Sequence, residues 1–276
     1  MIHQPIQSFI ASQTGFRSIP GAVPRDYFYH VPAEFRPDSP IIVSVHGISM
    51  NAAEHMVRLR GIAKANGAVI IAPHFSRKAY PRFQRLQDRK SGRRADLALI
   101  DMLADVRRRF GLTSAKIHLT GFSGGAQFAH RFAFYHADMV ASCVSCAAGW
   151  YSFPDEETAF PLGTAPGSGP DGMSVHPDWL RVRHHVFVGS RDTAVEVALN
   201  MSAPVVAMQG IGRRERARRW VEAMNRARAV AGEAAVGFTV IRGLSHDFTK
   251  AHERHDLGNL VAEVMGLLLQ RSDNNA

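Results

Sequence analysis

The residues best equipped for chemistry are Gly121-Phe122-Ser123-Gly124-Gly125, which follow an apolar run and open a stretch with helical spacing. A serine hydroxyl is a weak nucleophile until a base takes its proton. It must also stand clear of its own strand. A sharp strand-to-helix turn presents it that way, and flanking glycines leave room for so tight and strained a bend. Ser123 is therefore the candidate nucleophile. In such a frame the acid and the base follow the serine in chain order. Gly189-Ser190-Arg191-Asp192-Thr193 offers Asp192, which would orient an imidazole and stabilise its charged form. Asp171 and Asp178 compete for that role, but both lie in an irregular stretch. Gly243-Leu244-Ser245-His246-Asp247-Phe248 offers His246 as the base that takes the serine proton. There are 14 histidines, and most, such as His184, His185, His252 and His255, read as surface or packing residues. Two backbone donors would hold the developing oxyanion: the N–H of Gly124, just after the nucleophile, and the N–H of Ile48 in His46-Gly47-Ile48-Ser49. His46 itself reads as structural rather than as a base.

These loops need strands and helices to hold them. Ile41–Val45 is a short β-branched run, and Ala52 to Asn66 has helical spacing closed by Gly67. Ala68–Ala72 reads as a strand ended by Pro73, followed by a polar, basic loop from Ser76 to about Arg93. A helix runs through Leu97, Met102, Val106 and Phe110 to Gly111. Lys116–Thr120 is a strand, Gly124 to His136 a helix, and Val140 to Cys146 a buried strand. Ala147 to about Val182 is irregular, rich in Pro, Gly and Ser. His185–Val188 is a strand, Glu215 to Ala231 a basic helix, Gly237–Ile241 the last strand and Leu257 to Leu269 the closing helix. Apolar strands alternating with helices imply an α/β fold with a mostly parallel sheet covered on both faces. Sites in such sheets sit at the carboxyl ends of the strands, which is where all four loops fall. The expectation is one domain over residues 1–276, with a loop-rich insertion at Trp150 to Arg181 over the active-site edge. Trp150, Tyr151 and Trp179 of that insertion, with Phe153, are candidate substrate contacts or packing residues.

Composition bounds the partners. Lys and Arg number 33 against 24 Asp and Glu, a formal net charge of +9. The excess clusters at Arg82 to Arg94, Arg107 to Arg109 and Arg213 to Arg219. These clusters lack interleaved aromatics, and two fall on amphipathic helices whose solvated face they would occupy, so no nucleic-acid partner is expected. The first loop leaves the carboxyl side of a central strand and could rim the pocket, favouring acidic substrates. No apolar stretch approaches the roughly 20 residues of a membrane-spanning helix. Met1–Pro5 carries no basic and then apolar leader pattern, so a cytoplasmic protein without a membrane partner is expected. The polar end, Ser272 to Ala276, is expected to fray. Cys143 and Cys146 form a CxxC, but on a strand residues three apart point to opposite faces, so they read as two buried, reduced thiols. No metal or organic cofactor is called for, and oligomeric state is not specified.

With these residues in view, the chain resembles the α/β-hydrolase superfamily over roughly Ile41 to Leu269. Within it, Gly121 to Asp138, Ala148-Gly149-Trp150-Tyr151 and Gly243 to Phe248 are similar to the poly(3-hydroxybutyrate) depolymerase-like and feruloyl-esterase-like branch. The resemblance implies a Ser123–Asp192–His246 triad and a carboxylesterase acting on ester substrates. No separate polymer-binding module is apparent, so a small soluble ester is the expected partner. A peptidase or amidase with the same triad, and a non-catalytic binding protein of this fold, are the alternatives.

Overall fold

The computed structural model describes residues 11–196 and 198–268; the polar end Ser272 to Ala276 and the first residues lie outside them. Among these described residues eight strands form one sheet: β1 (Gln13–Ile19), β2 (Arg25–Val31), β3 (Ile41–Val45), β4 (Val69–His74), β5 (Ile117–Phe122), β6 (Val140–Cys146), β7 (Arg183–Gly189) and β8 (Gly237–Ile241). Their order is β1-β2-β4-β3-β5-β6-β7-β8. From β4 to β8 every pairing is parallel, whereas β1 and β2 add an antiparallel edge. That edge was not read from the sequence. β1 alternates half-buried and exposed residues and carries Gln, Thr, Arg and Ser, so it lacks the apolar signature of the inner strands.

Among the described residues seven α-helices complete the fold: α1 (Ala52–Asn66), α2 (Ala95–Phe110), α3 (Gly124–Tyr135), α4 (Ala203–Gln209), α5 (Arg213–Val230), α6 (Phe248–His255) and α7 (Leu257–Met265). α4 and α6 were also missed, being short and, for α6, mostly polar. α7 ends earlier than expected, because Gly266 adopts a left-handed conformation just past Met265.

Side chains alternate across the inner strands and so build two cores. Ile41, Val43 and Val45 pack with Leu99, Met102, Phe128, Phe132 and Trp220 from α2, α3 and α5. Ile42 and Ile70 face the other way, with Met56, Leu59 and Val261 from α1 and α7. Cys143 belongs to the first core and Cys146 to the second, both as free thiols that burial pushes up to about 12. α3 is buried along its whole length, which anchors the turn that precedes it. Among the described residues no helix is long and apolar enough to cross a membrane.

Register decides where the loops emerge. Val45 of β3 pairs with Gly121 of β5, and Gly121 with Ser145 of β6. Gly189 of β7 pairs with Ile241 of β8. The chain leaves β3 toward β4 on one side and β5 toward β6 on the other. The crevice between β3 and β5 is therefore the topological switch point where such sheets bind ligands.

Candidate active site

Ser123 sits between β5 and α3 with φ 55° and ψ −111°, a strained conformation for a residue with a side chain. Its N–H donates to the Cys146 carbonyl at 2.9 Å and its carbonyl accepts from Gln127 N at 3.2 Å, so the strain is held from both sides. The bend also depends on two bare backbones. A Cβ on Gly121 would stand 2.8 Å from Ala126 N, and one on Gly125 would stand 2.7 Å from the His46 carbonyl oxygen. Helix and strand pass that closely only where side chains are absent.

Asp192 and His246 arrive on two loops stitched together beyond β7 and β8. Arg191 N donates to the Leu244 carbonyl at 2.9 Å, and Gly243 N donates to Ser190 Oγ at 2.9 Å. Asp247 caps α6 by accepting from Lys250 N at 2.9 Å, which holds the chain just past His246. The Asp192 carboxylate is buried. It takes Arg213 Nη1 at 3.0 Å on one oxygen and His246 Nδ1 at 2.8 Å on the other. The carboxylate can only accept, so Nδ1 carries the proton and Nε2 is left to accept from Ser123 Oγ, 3.0 Å away. Asp171 and Asp178 are engaged elsewhere, with Arg94 and Arg181.

The loop after β3 is held as firmly. His46 is fully buried; its Nδ1–H donates to the Gly47 carbonyl at 2.7 Å and its Nε2 accepts from Phe75 N at 2.9 Å. Burial, with the charge of His74 adding to it, lowers its pKa to about 4, so it stays neutral and structural. Met50 N closes a turn onto the Gly47 carbonyl at 3.2 Å. Ser49 Oγ then bonds Asn51, Asn51 bonds Glu54, and Thr249 of α6 bonds Glu54, at 2.8, 2.8 and 2.7 Å. This chain ties the loop of Ile48 to the helix that follows His246. A Cβ on Gly124 would lie 3.6 Å from Ile48 N, so the two backbone amides expected as donors are neighbours. Gly124 also opens α3, where the first amides lack intrahelical partners and the helix dipole favours negative charge.

These loops surround a cavity of about 250 Å³ lined by Ile48, Ser123, Gln127, Trp150, Arg213 and His246, among others. Of the three expected aromatic contacts only Trp150 reaches it. Tyr151 instead stacks on Trp220 at 4.9 Å, and Trp179 packs on Phe134 at 4.6 Å. Both fill the core under the insertion, and Phe153 is buried there too. Elsewhere in the insertion, Phe160 packs against Tyr135 and Asp171 is bonded to Arg94 and Gln87. Gly149 and Trp150 lie at its edge; Glu196, Ala198, Leu199 and Asn200 supply the remainder of that wall.

Arg213 was missed, having been assigned to a solvated basic face. So was Arg216, fully buried, which bonds the carbonyls of Gly210 and Gly149 at 2.8 Å and so fixes the chain beside Trp150. A signal existed. Arg213, Arg216, Ala217, Trp220 and Met224 share one helical face, and an arginine in line with Trp and Met points inward. Among the described residues no group of three or more His, Cys, Asp or Glu is disposed to hold a metal.

Fold and geometry define an α/β-hydrolase-fold protein, and solved structures are similar to it over nearly the whole chain. A poly(aspartic acid) hydrolase-1 from Sphingomonas sp. KT-1 superposes with a TM-score of 0.76 at 20% identity, covering 91% of this chain and 99% of that one. A poly(3-hydroxybutyrate) depolymerase from Bordetella parapertussis gives 0.70 at 25%, covering 93% and 94%. A CE1 ferulic acid esterase from Anaeromyces mucronatus gives 0.58 at 13%, covering 97% and 95%. These include the depolymerase and feruloyl-esterase branch that the motifs resemble. No family model and no curated protein matches the sequence.

Proposed function

We propose that the protein is a serine hydrolase that cleaves carboxylic esters through an acyl-enzyme. The observation that carries this reading is the unbroken relay from Ser123 Oγ to His246 to Asp192, with links of 3.0 and 2.8 Å. His246 Nε2 takes the proton of Ser123 as Oγ attacks the ester carbonyl carbon. The negative charge that develops on the carbonyl oxygen rests on the N–H groups of Gly124 and Ile48, at the positive end of α3. The Asp192 carboxylate stabilises the imidazolium. His246 then protonates the departing alkoxide, and the acyl group stays on Ser123. Water enters, gives its proton to His246 and attacks the acyl carbonyl; the acid leaves as Ser123 regains its proton.

The names of the neighbours support an ester or related acyl substrate: a poly(3-hydroxybutyrate) depolymerase and a ferulic acid esterase. The 250 Å³ cavity favours a small acyl or alkyl group at the reacting centre. A second reading, amide cleavage by the same relay, is favoured by the likeness to a poly(aspartic acid) hydrolase.

The test is turnover of 4-nitrophenyl acetate and butyrate by the wild type, Ser123→Ala and His246→Ala. Each substitution should lower kcat by on the order of 10⁴–10⁶-fold, as loss of a nucleophile or its base does. Wild-type turnover in a folded Ser123→Ala protein would refute the assignment. Absence of turnover by the wild type on both ester and anilide panels would favour the non-catalytic binding protein.

A further inference from the structure

The catalytic cavity does not end at Ser123. Ile48, Gln84 and Ala198 line it, and the same three residues line a neighbouring hollow of about 370 Å³ together with Arg77 and Arg82. Arg82 in turn lines a smaller hollow of about 70 Å³ with Arg85, Arg89 and Phe160. Three hollows that share lining residues thus follow one another from the serine along the loop after β4, with four arginines among their walls.

Those arginines form no close ion pair among the described residues. Among the described residues, no carboxylate oxygen comes within 4.0 Å of a guanidinium nitrogen of Arg77, Arg82, Arg85 or Arg89. Of the nearby acids, Asp171 pairs with Arg94 and Glu196 with Arg213; Asp88 bonds the neutral Ser91, and the charge of Arg82 is among the causes that hold its carboxyl below the usual range. Arg85 is half-buried, with its guanidinium 5.4 Å from the centre of the Trp150 ring. Burial first, then the charges of Arg82 and Arg89, push its pKa down. Arg131, wholly buried on the other side, lies 4.1 Å from the same ring centre, bonds the Gln84 carbonyl, and has no partner for Nη2. Four arginines gathered around these hollows, with Asp88 beside them, leave an excess of positive charge that an external anion would stabilise. Guanidinium forks match carboxylates in geometry.

We propose that these hollows form a carboxylate-recognition subsite, and that the substrate cleaved at Ser123 carries one or more carboxylates on the part that lies along Arg82, Arg85 and Arg89. The proposal rests on the serine-hydrolase reading. Nucleic acid fits less well. Binding of single strands uses exposed aromatic faces for stacking, whereas Phe75, Tyr80, Phe83 and Trp150 along these hollows are all buried.

Two ester pairs test it, one with the charge on the acyl side and one with it on the alcohol side. The first compares 4-nitrophenyl hydrogen glutarate with 4-nitrophenyl butyrate; the second compares 4-acetoxybenzoate with its methyl ester. In at least one pair the anionic member should have a kcat/KM higher by about 10-fold or more at low ionic strength. That ratio should shrink in 0.5 M salt, where screening acts over only a few ångströms. The exposed pair Arg82→Gln/Arg89→Gln should bring the ratio to within about 3-fold of one. A wild-type ratio of one or less in both pairs, or a ratio unchanged in the double variant, overturns the subsite while leaving the hydrolase reading intact. An independent arm needs no turnover. Hexa-aspartate titrated into Ser123→Ala should bind at least 10-fold more tightly than to the same protein with Arg82→Gln/Arg89→Gln. Equal binding to both proteins, or tighter binding of a single-stranded oligonucleotide than of hexa-aspartate, also overturns it.

Discussion

Gly125→Ala should cripple the protein although no catalytic group is touched. The added Cβ would stand 2.5 Å from the Val45 carbonyl carbon, and closer still to its oxygen. Comfortable carbon–carbon separation is about 3.5–4.0 Å, so the start of α3 must retreat from β3 by on the order of 1 Å. The obstacle is strand backbone, which pairs with β4 and β5 on its two sides and cannot swing away as a side chain would. Overpacking of this kind costs about 1–3 kcal/mol or more. At roughly 2–4 °C per kcal/mol, the Tm should fall by several degrees. The same retreat carries Ser123 away from His246, and a misplacement near 1 Å costs on the order of 10²-fold in rate. Calorimetry and kcat/KM on 4-nitrophenyl butyrate read the two effects. Gly61→Ala is the matched control. Its Cβ meets nothing within 4 Å on an exposed face of α1, so it should stabilise by about 0.5–1 kcal/mol. A Gly125→Ala protein with the wild-type Tm and rate would refute the steric account of the turn.

Arg213→Met leaves the buried Asp192 carboxylate without its cation, and the loss of one partner of such a pair costs about 3–5 kcal/mol. Urea unfolding should show that loss together with reduced turnover; a change below 1 kcal/mol would mean that Asp192 does not need this partner. Acid should destabilise the fold through histidines buried in the neutral form. Burial lowers His46 and His252 to about 4 and His184 to about 3. The unfolded chain binds these protons near 6.5, so the stability is fully present above that pH and is lost as pH falls through 6.5 toward 4. Each histidine contributes a slope of up to about 1.4 kcal/mol per pH unit, measurable as Tm between pH 8 and 4. Neither ring nitrogen of His184 has a partner, so His184→Leu should hold or raise the Tm at pH 7 and flatten the acid limb. A steeper acid limb in that variant would contradict the argument.

The inner sheet was legible because burial on both faces leaves only apolar residues in a strand. β3 and β6 match the expected runs end to end, as does the edge strand β8, and α1 does so through the spacing of Met56, Leu59 and Ile62 and the closing Gly67. The antiparallel edge of β1 and β2 was not legible, because β1 alternates half-buried and exposed residues and carries few apolar ones. Tyr151 and Trp179 illustrate a different limit. An aromatic in an insertion reads the same whether it faces a cavity or the core, and here Trp220 and Phe134 claimed them.

By itself the sequence determined the order and chemistry of the loops: a serine between glycines after one strand, and an acid and a histidine after two later ones. Local patterns carry that information, since a turn, a cap or an apolar run needs only its near neighbours. What tertiary structure alone decided is which distant groups meet. It brought His246 to within 3.0 Å of Ser123, 123 positions away, and turned Arg213 inward onto Asp192. It also set Arg82, Arg85 and Arg89 around two hollows, the nearer of which shares Ile48, Gln84 and Ala198 with the serine's cavity. Charge counts as one number in a sequence, but its effect depends on which charges lie within a few ångströms of one another, and packing sets those distances.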